Sequence, residues 1–513
     1  MLSCQKNANI IDIIIFNALH MKNLTIKEAR EGLLNKDFSS VELTKSYIEN
    51  IRKHEDLNAY ITICEEKALE LARKADEKIA RGETSQTMLG IPIAMKDLFC
   101  TKGIRTTAGS KILENFIPPY ESTVSQNLLD EGSIVLGKTN MDEFAMGSSN
   151  LTSYFGPVWT NFRKKSDPET KLVPGGSSGG SASAVSADLA IAATGSDTGG
   201  SIRQPAAFCG LVGIKPSYGV CSRYGMVAFA SSLDQAGPIT KTVEDAAIML
   251  NAMASYDTKD STSEKVDIPN YVDFIGQSVR GLKIGIAKQY TDGLNEENLN
   301  ILENIRKLLE EAGCVFVDID LQTTSYCLPA YYIIAPAEAS SNLSRYDGVR
   351  YGHRCENPKN IEDLYVRSRS EGFGEEVKRR ILTGTYVLSA GYYDAYYNRA
   401  LKIRQMVKDD FKNNAFSKVD LILTMTTPTT AFGQNDPVTE DPVSMYLNDI
   451  FTVTVNIAGL PGMSIPAGLS SDGLPLGVQL IGNRFCESTI FKAAHVIEKC
   501  VEFEKLKREM IVA

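Results

Sequence analysis

Gly175-Gly-Ser-Ser-Gly-Gly180 and Gly195-Ser-Asp-Thr-Gly-Gly-Ser-Ile-Arg-Gln-Pro205 are the two most informative stretches of this chain. They lie in a segment, about residues 147–215, that is rich in Gly, Ser, Thr and Ala. Such a composition is also typical of a flexible linker. Linkers, however, do not carry apolar runs such as Leu189–Ala193 and Leu211–Ile214 between their glycines. The segment is therefore predicted to be close-packed and embedded in the core of the fold.

The sequence beyond this segment predicts an α/β fold. Leu282–Ala287 and Val315–Ile319 have the apolar character of buried strands, and Glu296–Ala312 between them has the periodicity of a helix. This succession predicts a right-handed crossover between parallel strands. Met463–Gly468 and Leu476–Ile481 flank a turn that ends in Asp-Gly, which predicts an antiparallel hairpin. We therefore expect a mixed β-sheet covered by helices.

Capping and apolar patterns predict further helices and strands, and the chain length suggests a number of domains. Strands are predicted at Leu89–Met95 (ending at Lys96), Ser133–Leu136 and Val419–Thr424, and helices after capping boxes at Thr25–Glu28 and Ser39–Glu42, at Glu65–Arg81 and at Phe491–Cys500. Residues 1–20 fit this pattern poorly and are predicted to be an N-terminal extension. Length alone suggests about two to four domains, since one core stops growing near ~250–300 residues.

Composition and charge exclude several classes of protein. The chain has 54 basic and 63 acidic residues, a net charge of −9, and 43% hydrophobic residues. These values exclude a disordered or collagen-like chain. A membrane-spanning chain is excluded as well, because the apolar run Ile10–Phe16 is far too short to cross a bilayer. The acidic excess argues against nucleic-acid binding as the main function, though not against a partner that binds nucleic acid.

Histidine and cysteine do not form the patterns of a metal site, and no metal is predicted. The histidines are His20, His54, His353 and His495. None of the ten cysteines forms a CxxC pair, so zinc-ribbon and thioredoxin-type sites lack support. A chain of this length needs no disulfides and shows no secretory signal, so a reducing cytoplasm is expected.

Two interpretations of the glycine-rich stretches fit poorly. A phosphate-binding loop would need Lys-Ser or Lys-Thr after the glycines, and neither is present. A nucleophile elbow, G-x-S-x-G, matches with Ser178 at its centre and, one residue earlier, with Ser177. An elbow must follow a strand, whereas Lys164–Lys171 is a polar loop. Its base would have to be His353 or His495, neither of which has a distinctive context.

A third interpretation uses a lysine as the base. A serine hydroxyl needs a positioned base, and a lysine can act as one when burial lowers its pKa. Lys96 ends an apolar run, where a buried, neutral lysine is possible. Gly199 and Gly200 precede Ser201, and residues without side chains allow backbone N–H groups to point at a developing oxyanion. The alternative is that Lys96 is an ordinary solvated lysine at a strand end.

Together with Ile91-Pro-Ile-Ala-Met-Lys-Asp97, these stretches resemble the amidase signature family. The resemblance implies an α/β fold with a large mixed β-sheet core covered by helices on both sides. It also implies a single domain over residues 21–513, with a signature core at about 86–220, in place of the several domains that length suggests.

The same resemblance implies a Ser–Ser–Lys triad. Ser201 matches the acylated nucleophile, Lys96 the base, and Ser177 the bridging serine, which in this family follows a cis peptide bond. The oxyanion would be held by the backbone around four residues: Thr198, Gly199, Gly200 and Ser201. Asp197 and Arg203 are expected to brace this loop as a buried ion pair.

Further motifs resemble, within that family, the A subunits of glutamyl-tRNA(Gln) amidotransferases. These motifs are Met141–Asn150, Glu338–Arg345, Tyr346–Gly352, Gly372–Arg380, Gly391–Tyr397 and Asn448–Asn456, within a similarity that spans Leu24 to Gly482. The resemblance implies a glutaminase. Arg380, or its neighbour Arg379, would take the glutamine carboxylate and Asp449 the ammonium. The residues that would line the pocket are Tyr332, Gly147 and Ser148.

The resemblance also implies partners. Ammonia would pass to the B subunit, which binds tRNA and uses ATP and Mg²⁺ to activate the glutamyl group. A small C subunit would complete a heterotrimer, and this chain would hold no cofactor. Two alternatives stay open: a free-standing amidase that acts on a small or aryl amide, and a non-catalytic structural protein.

Overall fold

The computed structural model describes residues 21–439 and 441–512, with the backbone alone for Pro442 and residues 508–512. The predicted extension at residues 1–20 lies outside the described residues. Eleven strands of the described chain form one mixed sheet in the order β1-β3-β2-β4-β6-β5-β10-β11-β9-β7-β8. The strands are β1 (Tyr60–Ile63), β2 (Pro92–Lys96), β3 (Ile134–Thr139), β4 (Ala192–Asp197), β5 (Val212–Lys215), β6 (Gln235–Thr240), β7 (Lys283–Ala287), β8 (Val315–Ile319), β9 (Leu421–Met425), β10 (Gly462–Leu469) and β11 (Pro475–Gly482).

Parallel and antiparallel pairs alternate in blocks along this sheet. Strand β2 is parallel to β3 and β4, and β7 is parallel to β8 and β9. The strands between these two blocks pair antiparallel, as does β1 at the edge. The predicted parallel crossover from β7 to β8 is therefore confirmed, and so is the hairpin of β10 and β11.

Helices cover the sheet. They are α1 (Ile26–Asn35), α2 (Ser40–Lys53), α3 (Glu65–Ala80), α4 (Thr123–Asp130), α5 (Gly179–Ser186), α6 (Arg203–Phe208), α7 (Val243–Met253), α8 (Glu296–Glu311), α9 (Cys327–Asn342), α10 (Ile361–Gly372), α11 (Glu375–Val387), α12 (Arg399–Asp410), α13 (Pro442–Leu447), α14 (Val453–Ala458), α15 (Glu487–Val501) and α16 (Phe503–Val512). Both predicted capping boxes are present, because Thr25 and Ser39 each exchange two hydrogen bonds with a glutamate three residues later.

The glycine-rich segment lies in the core, as its apolar content predicts. All eight residues of α5 are buried, and so is every residue of β4. A Cβ atom added to Gly180 would stand 2.3 Å from the carbonyl oxygen of Asn140, closer than real contacts allow. The glycines therefore permit close packing between backbone segments rather than flexibility.

Several predicted boundaries were wrong by a few residues. The strand expected at residues 89–95 begins only at Pro92, although it ends at Lys96 as predicted, and the helix expected from Phe491 begins at Glu487. Two strands, β1 and β6, carry no clear pattern: β6 contains Gly237 and Pro238, which usually interrupt strands. Among the helices of the described residues, none combines the length and apolar composition that crossing a bilayer requires.

Candidate active site

Lys96 is the centre of a buried polar cluster. It is the last residue of β2 and has no solvent exposure. Its Nζ atom lies 2.9 Å from Ser177 Oγ and 2.8 Å from both Ser178 Oγ and Ser196 Oγ. Burial lowers the pKa of Lys96 to about 7, although buried aspartates nearby act to raise it. Near neutral pH a large fraction of this amine is therefore uncharged and able to accept a proton.

Two of the three serines that contact Lys96, Ser177 and Ser178, directly precede helix α5. The peptide bond between Gly176 and Ser177 is cis, as the family resemblance leads one to expect. A Cβ atom on Gly176 would stand 2.0 Å from Asp142 Oδ2, so only glycine fits before Ser177. Gly176 also donates its N–H to Gln204 Oε1 over 2.9 Å, which ties the turn to α6.

Ser201 lies in the turn from β4 to α6, beside the two serines. The Ser178 N–H donates to the Ser201 carbonyl over 3.2 Å, which joins the two glycine-rich stretches. Ser201 is 9% exposed as a residue, whereas Ser177 is fully buried. Among the described residues no hydrogen bond joins the Ser201 and Ser177 hydroxyls. Ser201 is thus the one of the three predicted triad residues that solvent reaches.

A buried ion pair holds the Ser201 turn. Arg203 donates to both carboxylate oxygens of Asp197 over 3.0 Å, and both side chains are fully buried. Burial alone would raise the pKa of Asp197, but Arg203 holds it down to about 2. The expected brace is present in this geometry, and the Asn456 amide adds a further side-chain hydrogen bond to Asp197 over 2.8 Å.

Of the four predicted oxyanion donors in this turn, one N–H group is hydrogen-bonded to the Asp197 carboxylate. The Gly200 N–H, one of the predicted oxyanion donors, donates to Asp197 Oδ1 over 2.8 Å and is thus engaged. The N–H groups of Thr198, Gly199 and Ser201 have no acceptor among the described residues. The Thr198 hydroxyl is held by the buried carboxylate of Asp234 over 2.7 Å. Three donors are therefore available to a developing negative charge.

A cavity of about 320 Å³ contains the predicted recognition residues Gly147, Ser148 and Arg380, and also Arg379. The Arg380 guanidinium lies 5.5 Å from the ring centres of Phe229 and Tyr332. The Arg380 side chain is 6% exposed, whereas that of Arg379 is 51% exposed. Of the two arginines, Arg380 is the one that the aromatic walls enclose.

Asp449 lies beside this cavity. The Ser148 hydroxyl donates to Asp449 Oδ2 over 2.7 Å. Burial raises the pKa of Asp449 to about 7, against the effect of this hydrogen bond and of the Arg380 charge. Tyr332 is the remaining predicted wall residue, and its ring stacks on that of Tyr446 with centres 3.9 Å apart.

Two contacts join the cavity to the serine cluster. Gln204, which accepts from Gly176, donates to the Ser148 carbonyl over 2.8 Å. Thr452, three residues after Asp449, donates through its hydroxyl to the Gly199 carbonyl over 2.6 Å. Hydrogen bonds of Gln204 and Thr452 therefore connect the cavity wall and the loop after Asp449 to the glycine-rich stretches.

Several residues of the site carry no distinctive sequence signal. Ser178 and Ser196 contact Lys96, Asp142 accepts hydrogen bonds from Asn150 and Thr152, and Tyr446 is part of the cavity wall. Nothing separates Ser196 from the other serines of this segment, and the G-x-S-x-G match that singles out Ser178 does not indicate its contact with Lys96. For Asp142, one sequence signal was available: it lies between Met141 and Glu143 in a motif that also contains the predicted pocket residue Gly147.

The nucleophile-elbow interpretation is wrong. No strand precedes Ser177 directly, since the segment from Leu151 to Ser178 contains only an isolated bridge at Leu172. The two histidines that could serve as its base pair with glutamates elsewhere: His353 with Glu371 and His495 with Glu498.

Comparison with known proteins gives consistent matches over nearly the whole chain. A family model described as Amidase matches residues 42–491. The A subunit of the glutamyl-tRNA(Gln) amidotransferase of Xanthobacter autotrophicus is 57% identical over 480 residues, 93% of this chain and 97% of that protein. The A subunit of the Rhizobium etli amidotransferase is 58% identical over 482 residues, again 93% and 97%.

Solved structures also match. The crystal structure of the glutamyl-tRNA(Gln) amidotransferase A subunit from Thermotoga maritima has 40% sequence identity and a TM-score of 0.74, over 93% of this chain and 95% of that one. The native peptide amidase of Stenotrophomonas maltophilia has 27% identity and a TM-score of 0.78, over 94% and 97%.

Proposed function

The chain belongs to the amidase family, and from this we propose that it is the glutaminase subunit of a tRNA-dependent amidotransferase. It hydrolyses glutamine and supplies the ammonia to a partner that converts Glu-tRNA(Gln) to Gln-tRNA(Gln). Relatives named as the A subunit of this amidotransferase, 56–58% identical over at least 93% of the chain, support this assignment.

The observation that carries the chemistry is the buried contact between Lys96 Nζ and Ser177 Oγ. A catalytic base works best when its pKa is close to the working pH, and burial lowers the pKa of Lys96 to about 7. In the proposed first step, Lys96 takes the proton of Ser177 while Ser177 takes the proton of Ser201. The Ser201 oxygen then attacks the side-chain carbonyl carbon of glutamine.

The negative charge that develops on the carbonyl oxygen needs donors that are already in place. The free N–H groups of Thr198, Gly199 and Ser201 are the candidates, since Gly200 is engaged by Asp197. When the tetrahedral intermediate collapses, the C–N bond breaks and the amide nitrogen takes a proton from Ser177 to leave as ammonia. Lys96 returns its proton to Ser177, and an acyl ester remains on Ser201.

Water completes the cycle by the same route. The relay removes a proton from water as it attacks the ester carbonyl, and the returning proton restores the Ser201 hydroxyl. Glutamate leaves with its new carboxyl group. Each turnover thus consumes one glutamine and one water and yields glutamate and ammonia.

Recognition of a free amino acid follows from two opposite charges. Arg380 would bind the α-carboxylate, since guanidinium pairs well with carboxylate and its flanking aromatic rings hold it in place. Asp449 would bind the α-ammonium, which would favour its ionised form. Ser148 and Gly147 would line the wall between them.

The partners are part of the proposal. The B subunit would bind the tRNA together with ATP and Mg²⁺, and the C subunit would complete the heterotrimer. The net charge of −9 suits a chain that leaves the tRNA to a partner.

The proposal is tested by glutaminase assays of the chain, alone and with its co-purifying partners. Ser201→Ala and Lys96→Ala should each lower the rate by about 10³-fold or more, since the residues act as one unit. Ser178→Ala is the matched control: it also removes a hydroxyl from Lys96 but no step of the relay, and should keep at least tenfold more activity than Ser177→Ala. Unchanged activity in Ser201→Ala would refute the mechanism. Hydrolysis of an aryl amide without glutamine hydrolysis would instead support a free-standing amidase.

A further inference from the structure

A second cavity, which shares no lining residue with the proposed glutamine pocket, is lined by positively charged side chains. It has a volume of about 280 Å³ and lies between helix α12, the turn after it, and the loops that follow α14 and β11. Arg404, Lys408, Lys412 and Arg484 line it, and no carboxylate does. Four cations around one small cavity are unusual on a chain with an excess of nine acidic residues.

Protein groups compensate these charges only in part. Arg484 forms an ion pair with Glu264 outside the cavity. Arg404 donates to the Ser232 hydroxyl over 2.6 Å and to the Ser232 carbonyl over 2.8 Å, and these are neutral acceptors. Lys408 and Lys412 form no ion pair with any residue that the structure describes. At least two positive charges therefore face the cavity without a counter-charge.

Two further carboxylates act on these cations from outside the cavity, Glu338 on Arg404 and Asp409 on Lys408. Glu338 accepts hydrogen bonds from the Ser232 N–H and hydroxyl, which places it behind Ser232 rather than in the cavity. Asp409 attracts Lys408 but does not line the cavity. Burial, and after it the charges of Arg404 and Arg484, lower the pKa of Lys408. The repulsion between these cations would be relieved by an anion among them.

We propose that this cavity binds a phosphate group. A carboxylate carries one negative charge and would leave part of the repulsion in place. A phosphate carries about two and offers several acceptor oxygens, which suits Arg404, Lys408 and Lys412, spaced four residues apart along one helical face, with Arg484 on a separate loop. The site is separate from the proposed glutaminase site and does not depend on it.

The test measures the thermal unfolding midpoint of the full chain against inorganic phosphate, with chloride added to keep the ionic strength constant. A ligand that binds only the folded state raises this midpoint. We expect phosphate to raise it in the wild type. In the double variant Lys408→Gln/Lys412→Gln, we expect that the phosphate concentration needed for the same rise is higher by about tenfold or more. The reason is that two charge-assisted contacts are lost.

The matched control is Lys402→Gln, an exposed lysine of the same helix that lies outside the cavity. It should respond to phosphate as the wild type does. An equal response of the double variant and the wild type would overturn the proposal, and so would an equal effect of chloride alone.

Two further probes identify the source of the phosphate. A nucleoside 5′-monophosphate offers a terminal phosphate, and a dinucleotide without a terminal phosphate offers only a phosphodiester. Stronger stabilisation by the monophosphate, lost in the double variant, would indicate a small phosphorylated ligand. Stronger stabilisation by the dinucleotide, lost in the same variant, would indicate a nucleic-acid backbone.

Discussion

Buried charge defines the candidate site at the scale of single residues. Lys96, Asp142, Asp197 and Asp234 are all fully buried, and each would be costly without partners. Asp197 is paired with Arg203, whereas Lys96 faces only hydroxyl groups at hydrogen-bonding distance. An unpaired buried amine lowers its cost by giving up its proton, which is also what a catalytic base requires.

Arg379 and Arg380 differ in side-chain environment, which sequence register alone does not reveal, and this difference is the reason for proposing Arg380. Both side chains contact Glu376, but only Arg380 is enclosed by aromatic rings. We expect Arg380→Lys to raise the KM for glutamine about 30-fold with little change in kcat. The reason is that lysine cannot reproduce a two-point contact with a carboxylate, worth about 2 kcal/mol.

Arg379→Lys is the matched control and should leave KM within about twofold, since exposed charges contribute little. Steady-state kinetics of both variants provides the measurement. A KM that rises in Arg379→Lys and not in Arg380→Lys would assign the carboxylate to the other residue.

At the scale of elements, the turn from β4 to α6 positions the nucleophile. Gly200 has a φ of +142°, a conformation that favours glycine, and its position leaves no room for a side chain. A Cβ atom there would stand 2.2 Å from Thr452 Oγ1, the hydroxyl that holds the Gly199 carbonyl. The turn and the loop before α14 are therefore packed as one unit.

We expect Gly200→Ala to lower kcat for glutamine by about 100-fold or more, because the oxyanion donors on either side of it would move. Gly82→Ala is the matched control, since Gly82 also has a positive φ, of +77°, but has no atom within 4 Å of an added Cβ. Unfolding midpoints of both variants separate a catalytic effect from a loss of fold. Normal kcat in Gly200→Ala would show that this packing does not position the donors.

Elements with a regular pattern were predicted well, and those set by tertiary contacts were not. The β7–α8–β8 unit and the β10–β11 hairpin follow from apolar periodicity and a turn signal in adjacent sequence. Strand β6 was missed, because its ladder to β4 and β5 overrides the poor strand preference of Gly237 and Pro238. The predicted triad follows from family resemblance. The contacts of Ser178 and Ser196 with Lys96 depend on the tertiary structure, and residue spacing in the sequence does not predict them.

At the scale of the whole molecule, the sheet order brings distant segments to one place. Strands β2 and β4 are neighbours although α4, β3 and α5 lie between them in the chain, so Lys96 meets Ser196 across 100 residues. Asp449 reaches Ser148 across 301 residues. Two groups with a pKa of about 7, Lys96 and Asp449, are thereby buried in the proposed site.

This pairing predicts how glutaminase activity depends on pH. Lys96 must be neutral to act as a base, and Asp449 must be ionised to bind ammonium. Both conditions fail as the pH falls below about 7, because each group then takes up a proton. We therefore expect log kcat/KM, which reports the free enzyme, to fall below that pH with a slope near two.

The kcat profile should be less steep. In the complex with glutamine, the ammonium of the substrate favours the ionised form of Asp449 and lowers its pKa, so Lys96 alone controls the acid side with a slope near one. Asp449→Asn should bind glutamine weakly and show a slope near one in kcat/KM as well. A slope of one for kcat/KM in the wild type would contradict the prediction, because it would mean that only one of the two buried groups changes protonation as the site becomes active.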